Sequence, residues 1–237
     1  RVVVRGRGFD CAFDETTGTL VSLRLGGTEL LAEGPRGNVW RAPLANERDA
    51  WGVFRGRLAT HREGMGDDVA NGWRAIGLDR LEHTVTRFSA RQVSEGEVEV
   101  AVRALATSPV VPATAFASGF ELEYVYRVLG TGEIVLRHSI VPHGRMPQWL
   151  PRVGLQMVLA EGMETLTWSG RGPYETYPDR KTGARVGLYE ESVEGPDVPY
   201  IVPQDHGNKT DVRWAALRRA DGVGLFVSGD ELLNVSA

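Results

Sequence analysis

Two segments of the 237-residue sequence place aromatic side chains beside charged and amide groups. Residues 38–51 read NVWRAPLANERDAW, and residues 170–183 read GRGPYETYPDRKTG. Aromatic rings stack on the apolar C–H faces of sugars, while polar side chains bind the hydroxyl groups. Either segment could therefore hold a carbohydrate, or could use its aromatic residues to fasten a long loop to the fold. The candidate residues are Trp40, Arg41, Asn46, Glu47, Trp51, Tyr174, Glu175, Tyr177, Asp179 and Arg180.

Two histidines call for opposite interpretations. His206 lies in the loop sequence PQDHGNK, beside Asp205 and close to Asn208. A histidine in such company could bind sugar hydroxyls or act as a general acid, with a solvated loop residue as the alternative. His138 instead takes an apolar position in the alternating segment VLRHSI, which predicts a hydrogen-bonded core histidine.

Motifs for other chemistries are missing from the sequence. It has no G-x-S-x-G nucleophile elbow, no G-x-x-x-x-G-K phosphate loop and no dinucleotide fingerprint after a strand. Its five histidines lack H-x-x-x-H spacing, and its single cysteine rules out the paired cysteines of a zinc finger. None of the 31 acidic residues is singled out by spacing as one of a glycosidase pair. We therefore expect no catalytic residue, no metal site and no cofactor in this chain.

Charge and hydropathy argue against nucleic acid and membranes as partners of this chain. A net charge of −4 and a pI near 5.8 argue against nucleic acid, whose phosphates call for a basic surface. No apolar run approaches the roughly 18 residues of a membrane span, and no signal peptide is visible. We expect no membrane partner and a cytoplasmic location. The start at Arg1 and the apolar end LFVSGDELLNVSA suggest a piece of a longer protein, truncated at its C-terminus, with an intact processed protein as the alternative.

Period-two alternation dominates the chain and predicts strands with one buried face. The clearest runs are FDCAF (9–13), EVEVAV (97–102), FELEYVYRV (120–128), EIVLRHSI (133–140) and RVGLQMVL (152–159). DETTG, ending at Gly18, predicts a hairpin turn. Only residues 67–81 have a helical pattern, weakened by two glycines. The sequence thus predicts an all-β fold, a large antiparallel β-sandwich with long loops and little helix, as a single domain over 1–237.

Four segments of the chain, including parts of both candidate segments, resemble segments of β-galactosidases of glycoside hydrolase family 2. WRAPLANE (40–47) is similar to the family's W-R-A-P-x-D-N-D, and GRGPYETYPDR (170–180) to its G-x-G-P-x-E-x-Y-P-D-R. PYIVPQDHGNKTDVRW (199–214) resembles P-Y-x-x-P-Q-E-N-G-x-x-x-x-V-R-W, and FDETTGTLVSLRLGGTELL (13–31) resembles the family's F-D-x-x-T-G-x-L hairpin. Order and spacing also fit. The chain departs from the pattern at Ala45 and Glu47, which stand for the two aspartates, and at Asp205-His206, which stands for Glu-Asn.

The resemblance implies a C-terminal β-sandwich domain of the galactose-mutarotase-like, supersandwich type. In the family, this domain packs against a TIM barrel that carries the acid/base and nucleophile glutamates. The chain alone is then inactive and supports and borders the active site of the barrel. The complete enzyme would hydrolyse terminal β-D-galactosides such as lactose, with a metal ion in the barrel. The implied partners are the catalytic TIM-barrel domain and a galactoside at the domain boundary, and a homo-oligomeric parent is left open.

The resemblance also bears on the role of residues 170–183. A family signature favours a fixed architectural element facing the barrel over a free sugar clamp. We expect Asp179 and Arg180 to form a charge-assisted pair that anchors the loop, and Glu175 to cap backbone N–H groups. Two alternatives remain: a stand-alone carbohydrate-binding module with an aromatic platform, and an aldose epimerase in which His206 or His143 is the general acid.

Overall fold

The computed structural model describes residues 1–47, 69–109, 118–147, 149–202 and 204–237, and only the backbone of Asn46. The predictions for Trp51 and for the Asn46 side chain lie outside the described residues. The described residues divide into two compact units, Arg1–Val158 and Leu159–Ala237. The single domain over 1–237 stays a prediction.

Antiparallel strands make up most of the described chain, which confirms the predicted all-β, sandwich-like fold. The strands are β1 (Val2–Gly6), β2 (Phe9–Asp14), β3 (Thr19–Leu25), β4 (Thr28–Glu29), β5 (Leu31–Asn38), β6 (Glu82–Ser94), β7 (Glu97–Thr107), β8 (Gly119–Leu129), β9 (Ile134–His143), β10 (Gly154–Leu159), β11 (Thr165–Gly172), β12 (Arg185–Ser192), β13 (Lys209–Arg218) and β14 (Gly224–Val235). The helical elements are α1 (Val69–Ala75) and the 3-10 helices Ala45–Glu47 and Leu78–Arg80.

The first unit contains two four-stranded sheets, β1-β2-β3-β4 and β6-β7-β8-β9, and a two-stranded sheet of β5 and β10. Alternate residues of β7 and β8 are buried, as the period-two pattern predicts. Their buried face meets the first sheet at Phe13, whose ring lies 5.0 Å from that of Tyr126 in an edge-on contact. Apolar side chains from facing sheets therefore build this core.

The prediction of a buried face for residues 152–159 is wrong at Val153 and Leu155, although β10 forms as expected and Met157 and Leu159 are half-buried. Val153 and Leu155 are 61% and 44% exposed. The reason is that β10 pairs only with β5, in a sheet of two strands. A sheet this narrow leaves much of its side-chain surface uncovered.

The helical prediction for residues 67–81 is confirmed in part. Helix α1 ends at Ala75, and a 3-10 turn over Leu78–Arg80 follows after Gly77. Gly77 has a φ of 72°, in the left-handed region that ends helices. Residues 67 and 68 lie outside the described residues.

Among the helices that the structure describes, none is long and apolar enough to cross a membrane. The cytoplasmic location stays a prediction.

The second unit is one four-stranded sheet in the order β12-β11-β13-β14. Its core consists of Leu166, Trp168, Val212 and Ala215, with the Tyr189 ring stacked 5.3 Å from that of Trp168. The candidate segment 170–183 begins in the last residues of β11 and continues as the loop that leads to β12. The buried sheet thus sets the position of both ends of that loop.

Candidate functional site

A bidentate ion pair between Arg41 and Glu47 closes the first candidate segment into a turn. Arg41 donates from Nη1 to Glu47 Oε2 over 2.7 Å and from Nη2 to Oε1 over 2.6 Å. The backbone N–H of Leu44 donates to the same Oε2 over 2.7 Å. Both charged side chains are largely buried. The Glu47 carboxylate therefore holds the 3-10 turn in shape and is not presented to a ligand.

Aromatic packing fixes the start of this segment. The backbone N–H of Trp40 donates to Asn38 Oδ1 over 2.9 Å, and the Trp40 ring lies edge-on to the Trp73 ring with 6.4 Å between centres. Trp73 is buried in α1, and its indole N–H donates to the Trp149 carbonyl over 3.1 Å. The Arg41 guanidinium lies 5.9 Å from the Trp73 ring, within cation–π range. Trp40 and Arg41 thus join the loop to the core of the first unit.

Glu175 is the centre of the second candidate segment. Its Oε1 accepts hydrogen bonds from Arg180 Nη2 and from the Tyr200 hydroxyl. Its Oε2 accepts from the Gly207 N–H at 3.0 Å and from the Tyr177 hydroxyl at 3.3 Å. Burial alone would raise the pKa of Glu175, but these hydrogen bonds outweigh it and lower that pKa below the ordinary 4.5. The bond from Gly207 confirms that Glu175 caps a backbone N–H group.

The predicted pairing of Asp179 with Arg180 is wrong, because Arg180 pairs with Glu175. The backbones of Tyr177 and Arg180 bond to each other in both directions, which forms a tight turn. The guanidinium lies over the Tyr177 ring, 5.2 Å from its centre, on the way to Glu175. The side chain of Glu175 is only 11% exposed, whereas Asp179 is exposed. A carboxylate removed from water needs a cationic partner more than a solvated one does.

A buried lysine joins this loop to the sheet below it. Lys209 donates to the Pro173 carbonyl over 2.9 Å and forms an ion pair with Glu191 at 2.9 Å. Its ammonium lies 4.6 Å from the centre of the Trp168 ring. A compact ammonium with three donors suits this enclosed position.

Two buried threonines add a second connection between the loop and β13. The N–H and the hydroxyl of Thr210 both lie 2.9 Å from Thr176 Oγ1. Asn208 donates from its side chain to the Thr176 carbonyl, and Thr176 donates from its N–H to the Asn208 carbonyl, each over 2.7 Å. Four hydrogen bonds thus lock Thr176 onto the start of β13.

Asp211 gathers two further cations beside the loop. Arg171 Nε and Lys181 Nζ donate to its two carboxylate oxygens over 2.5 and 2.6 Å. Hydrogen bonds from Lys181 and Arg171 lower the pKa of Asp211 below its ordinary value. Asp211 has a φ of 54°, a backbone conformation uncommon for a residue other than glycine. Arg171 also donates to the Ala184 carbonyl over 2.9 Å, so this network fastens the far end of the loop.

Sequence reasoning missed Lys209, Asp211 and Lys181 as parts of this site. One signal could have found two of them. Lysine occurs only at 181 and 209 among 27 basic residues, so these two positions stand out in a sequence that otherwise uses arginine. Lys181 donates to Asp211 and Lys209 donates to the Pro173 carbonyl, so each lysine helps to hold residues 170–183 in place.

The two tyrosines of the predicted aromatic platform differ in their availability. Tyr174 is 72% exposed. Tyr177 is half-buried under Arg180, with its hydroxyl bonded to Glu175. Burial, and then the nearby charge of Glu175, raise the pKa of Tyr177. The structure therefore offers the ring of Tyr174 to a partner and uses Tyr177 inside the loop.

The histidines occupy different environments. His206 is exposed, and its Nδ1 lies 3.5 Å from Asp197. His138 is hydrogen-bonded as predicted but is only half-buried: its Nδ1 bonds the Glu123 carbonyl at 3.0 Å, and its ring stacks on Tyr124 at 4.2 Å. Burial lowers the pKa of His138, although the bond to the carbonyl opposes this. His138 thus serves packing in the first unit.

The described residues contain no group of three or more His, Cys, Asp or Glu side chains arranged to hold a metal ion.

Comparison with known proteins gives a consistent result along the chain. Residues 5–237 match the family model described as the β-galactosidase small chain. A β-galactosidase of Priestia megaterium is 32% identical over all of this chain, which covers 20% of that protein. β-Galactosidases of Kluyveromyces lactis and Lactobacillus delbrueckii subsp. bulgaricus are each 30% identical, over 92% and 99% of the chain and 19% and 20% of their own lengths. The chain spans about one fifth of the length of these curated relatives.

Proposed function

The chain belongs to the β-galactosidase small-chain family, and from this premise we propose that it is the non-catalytic C-terminal domain of a β-galactosidase. The complete enzyme would hydrolyse terminal β-D-galactosides such as lactose. This domain would support and border the active site of a separate TIM-barrel domain. The family match covers nearly the whole chain, whereas the chain covers only one fifth of each relative. Both findings support a non-catalytic domain within a larger enzyme.

One observation carries the supporting role: one glutamate in each candidate loop, Glu47 and Glu175, is held by partners within the chain. Glu47 is bound by Arg41 and the Leu44 N–H, and Glu175 by four donors. A general acid or base has to reach the proton that it transfers. Carboxylates held in this way instead stiffen the loops that carry them.

Stiff loops matter to an enzyme whose catalytic groups stand on another domain. Such groups work only when their surroundings hold them within about 0.5 Å of the productive geometry. In the proposal, residues 170–183 face the barrel as a fixed support, and the galactoside lies at the boundary. The metal ion and any oligomeric contacts belong to the parent enzyme.

The proposal is tested by measuring hydrolysis of a chromogenic β-galactoside. We expect no hydrolysis by the chain alone, and hydrolysis after mixing with a polypeptide that carries the barrel domain. Hydrolysis by the isolated chain would overturn the non-catalytic assignment. No hydrolysis in the mixture, with both polypeptides folded, would contradict the supporting role.

A sugar titration separates this proposal from a carbohydrate-binding module. Galactose or lactose is added to the chain alone while the NMR signals of its tryptophans and tyrosines are followed. Shifts that centre on Tyr174 at millimolar sugar would favour the binding module. Unchanged signals are expected for a supporting domain.

A further inference from the structure

The sheet of the second unit has one face that contributes to the core and one that does not. Trp168 points into the core, so its neighbour Ser169 belongs to the opposite face. Ser169 stands opposite Leu188 on β12 and Trp214 on β13, and the register places Val186 and Phe226 on the same side. We call Val186, Leu188, Trp214 and Phe226 the outer face.

The outer face carries large apolar side chains on β12 and on β13 and β14, with Ser169 of β11 between them. Leu188 is 68% exposed and Phe226 is 60% exposed. The Trp214 ring stacks on Phe226 with 5.4 Å between centres. With neighbouring strands about 4.8 Å apart, the four strands of the outer face span about 15 Å. Single exposed apolar residues are ordinary, but several large ones on one face of a sheet mark an interaction surface.

The polar side chains beside the outer face already satisfy one another. Glu190 accepts from Arg218 over 2.5 Å and from the Thr167 hydroxyl over 3.1 Å. On the same face, Arg171 is bound to Asp211. A sugar or a charged ligand would have to break these bonds to gain its own. An apolar protein surface would cover the outer face and leave the bonds at its rim intact.

The length of the relatives indicates where such a surface would come from. The chain spans about one fifth of each relative, so a parent of that kind contains far more polypeptide than these 237 residues. We propose that the outer face docks an apolar surface of the remainder of the parent β-galactosidase. This inference rests on the proposed function and adds to it the surface through which the domain is held.

The test measures binding of the chain to a polypeptide that carries the remainder of the parent, by isothermal titration calorimetry. In the test variant, Leu188→Ser and Phe226→Ser are combined. We expect binding to weaken by about tenfold or more, as for central apolar residues of interfaces. The matched control combines Val135→Ser and Val141→Ser, which are 44% and 52% exposed on β9 of the first unit. The control should bind within about twofold of the original chain.

Each outcome decides a different point. Tight binding that the test variant leaves unchanged overturns the docking face and leaves the proposed function standing. No binding by the original chain overturns both. Self-association of the chain that only the test variant abolishes, with binding to the remainder unchanged, assigns the face to a second copy and overturns the proposal.

A measurement on the unaltered chain guards against a variant that fails to fold. Hydroxyl-radical footprinting reports the accessibility of Leu188 and Phe226 with and without the remainder of the parent. We expect less labelling of both residues in the complex and equal labelling of Val141. Unchanged labelling of Leu188 and Phe226 in a complex that has formed overturns the proposal.

Discussion

At the scale of single residues, Glu175 shows how a short loop is held by distant groups. Its donors are Tyr177 and Arg180 within the loop, and Tyr200 and Gly207 from the segment 25 to 32 residues further along. The neighbouring Asp179 has equal formal charge but lies exposed. Burial and the number of donors therefore separate the two carboxylates.

We predict that Glu175→Gln lowers the free energy of unfolding by about 1–3 kcal/mol. Arg180 loses its charged partner, and the NH2 group of the glutamine, itself a donor, faces the hydrogen-bond donors that the carboxylate accepted from. Urea denaturation at pH 7 measures the change. The control is Asp179→Ala, which should change the free energy by less than about 0.5 kcal/mol. A larger loss for Asp179→Ala than for Glu175→Gln would restore the pairing expected from sequence.

The same prediction has a pH dependence with a fixed sign. Hydrogen bonds lower the pKa of Glu175 in the folded state, so its contribution is present in full above the ordinary 4.5. It is lost as the pH falls through the lower folded value. The difference between the original chain and Glu175→Gln should therefore shrink below pH 4.5. Ordinary carboxyl groups titrate at about pH 4, so about pH 3 is a suitable lower limit for the measurement. A stability difference that stays constant down to that pH would mean that the charge of Glu175 does not contribute to it.

At the scale of elements, the hairpin of β2 and β3 shows why the turn residue is glycine. Gly18 has a φ of 68°, and its N–H donates to the Asp14 carbonyl over 2.8 Å. Asp14 Oδ1 accepts from the N–H groups of Thr16 and Thr17 over 2.8 and 3.1 Å. A Cβ on Gly18 would lie only 2.7 Å from Val102 and 2.9 Å from Val85. The turn therefore packs directly onto the sheet β6-β7-β8-β9.

We predict that Gly18→Ala destabilises the chain by about 2–4 kcal/mol, from left-handed strain and from the clash together. Gly26→Ala is the matched control, since Gly26 has a φ of 56° and no atom within 4 Å of a Cβ. It should cost only the strain, about 1–2 kcal/mol. Thermal or urea unfolding measures both. Equal losses would show that Val85 and Val102 move aside without cost.

At the scale of the whole molecule, the open question is whether the two compact units unfold as one domain. The single-domain prediction requires one cooperative transition for all described strands. Leu122 in β8 and Leu166 in β11 are both buried, one in each unit, and form a matched pair for the test.

We predict that Leu122→Ala and Leu166→Ala each shift the same urea transition to lower urea concentration and each lower the free energy of unfolding by about 2–5 kcal/mol. Tryptophan fluorescence and far-UV circular dichroism should give coincident curves for both variants. Two transitions, each shifted by only one of the variants, would contradict the single domain.

The sequence by itself determined the strands, the β2–β3 turn and the family. These follow from local rules, since side-chain direction alternates along a strand and positive φ favours glycine. It also identified Glu175 as a capping residue, on the strength of a motif of adjacent positions.

Only the tertiary structure decided which groups meet. Arg180 pairs with Glu175 instead of Asp179, and Lys209 reaches Pro173 across 36 residues. Likewise, alternation placed one side of each strand against a core, but β10 and the outer face show that neighbouring strands decide which side is covered. The reason is physical: periodicity reports the direction of a side chain, whereas burial and ion pairing depend on residues brought together from elsewhere in the chain.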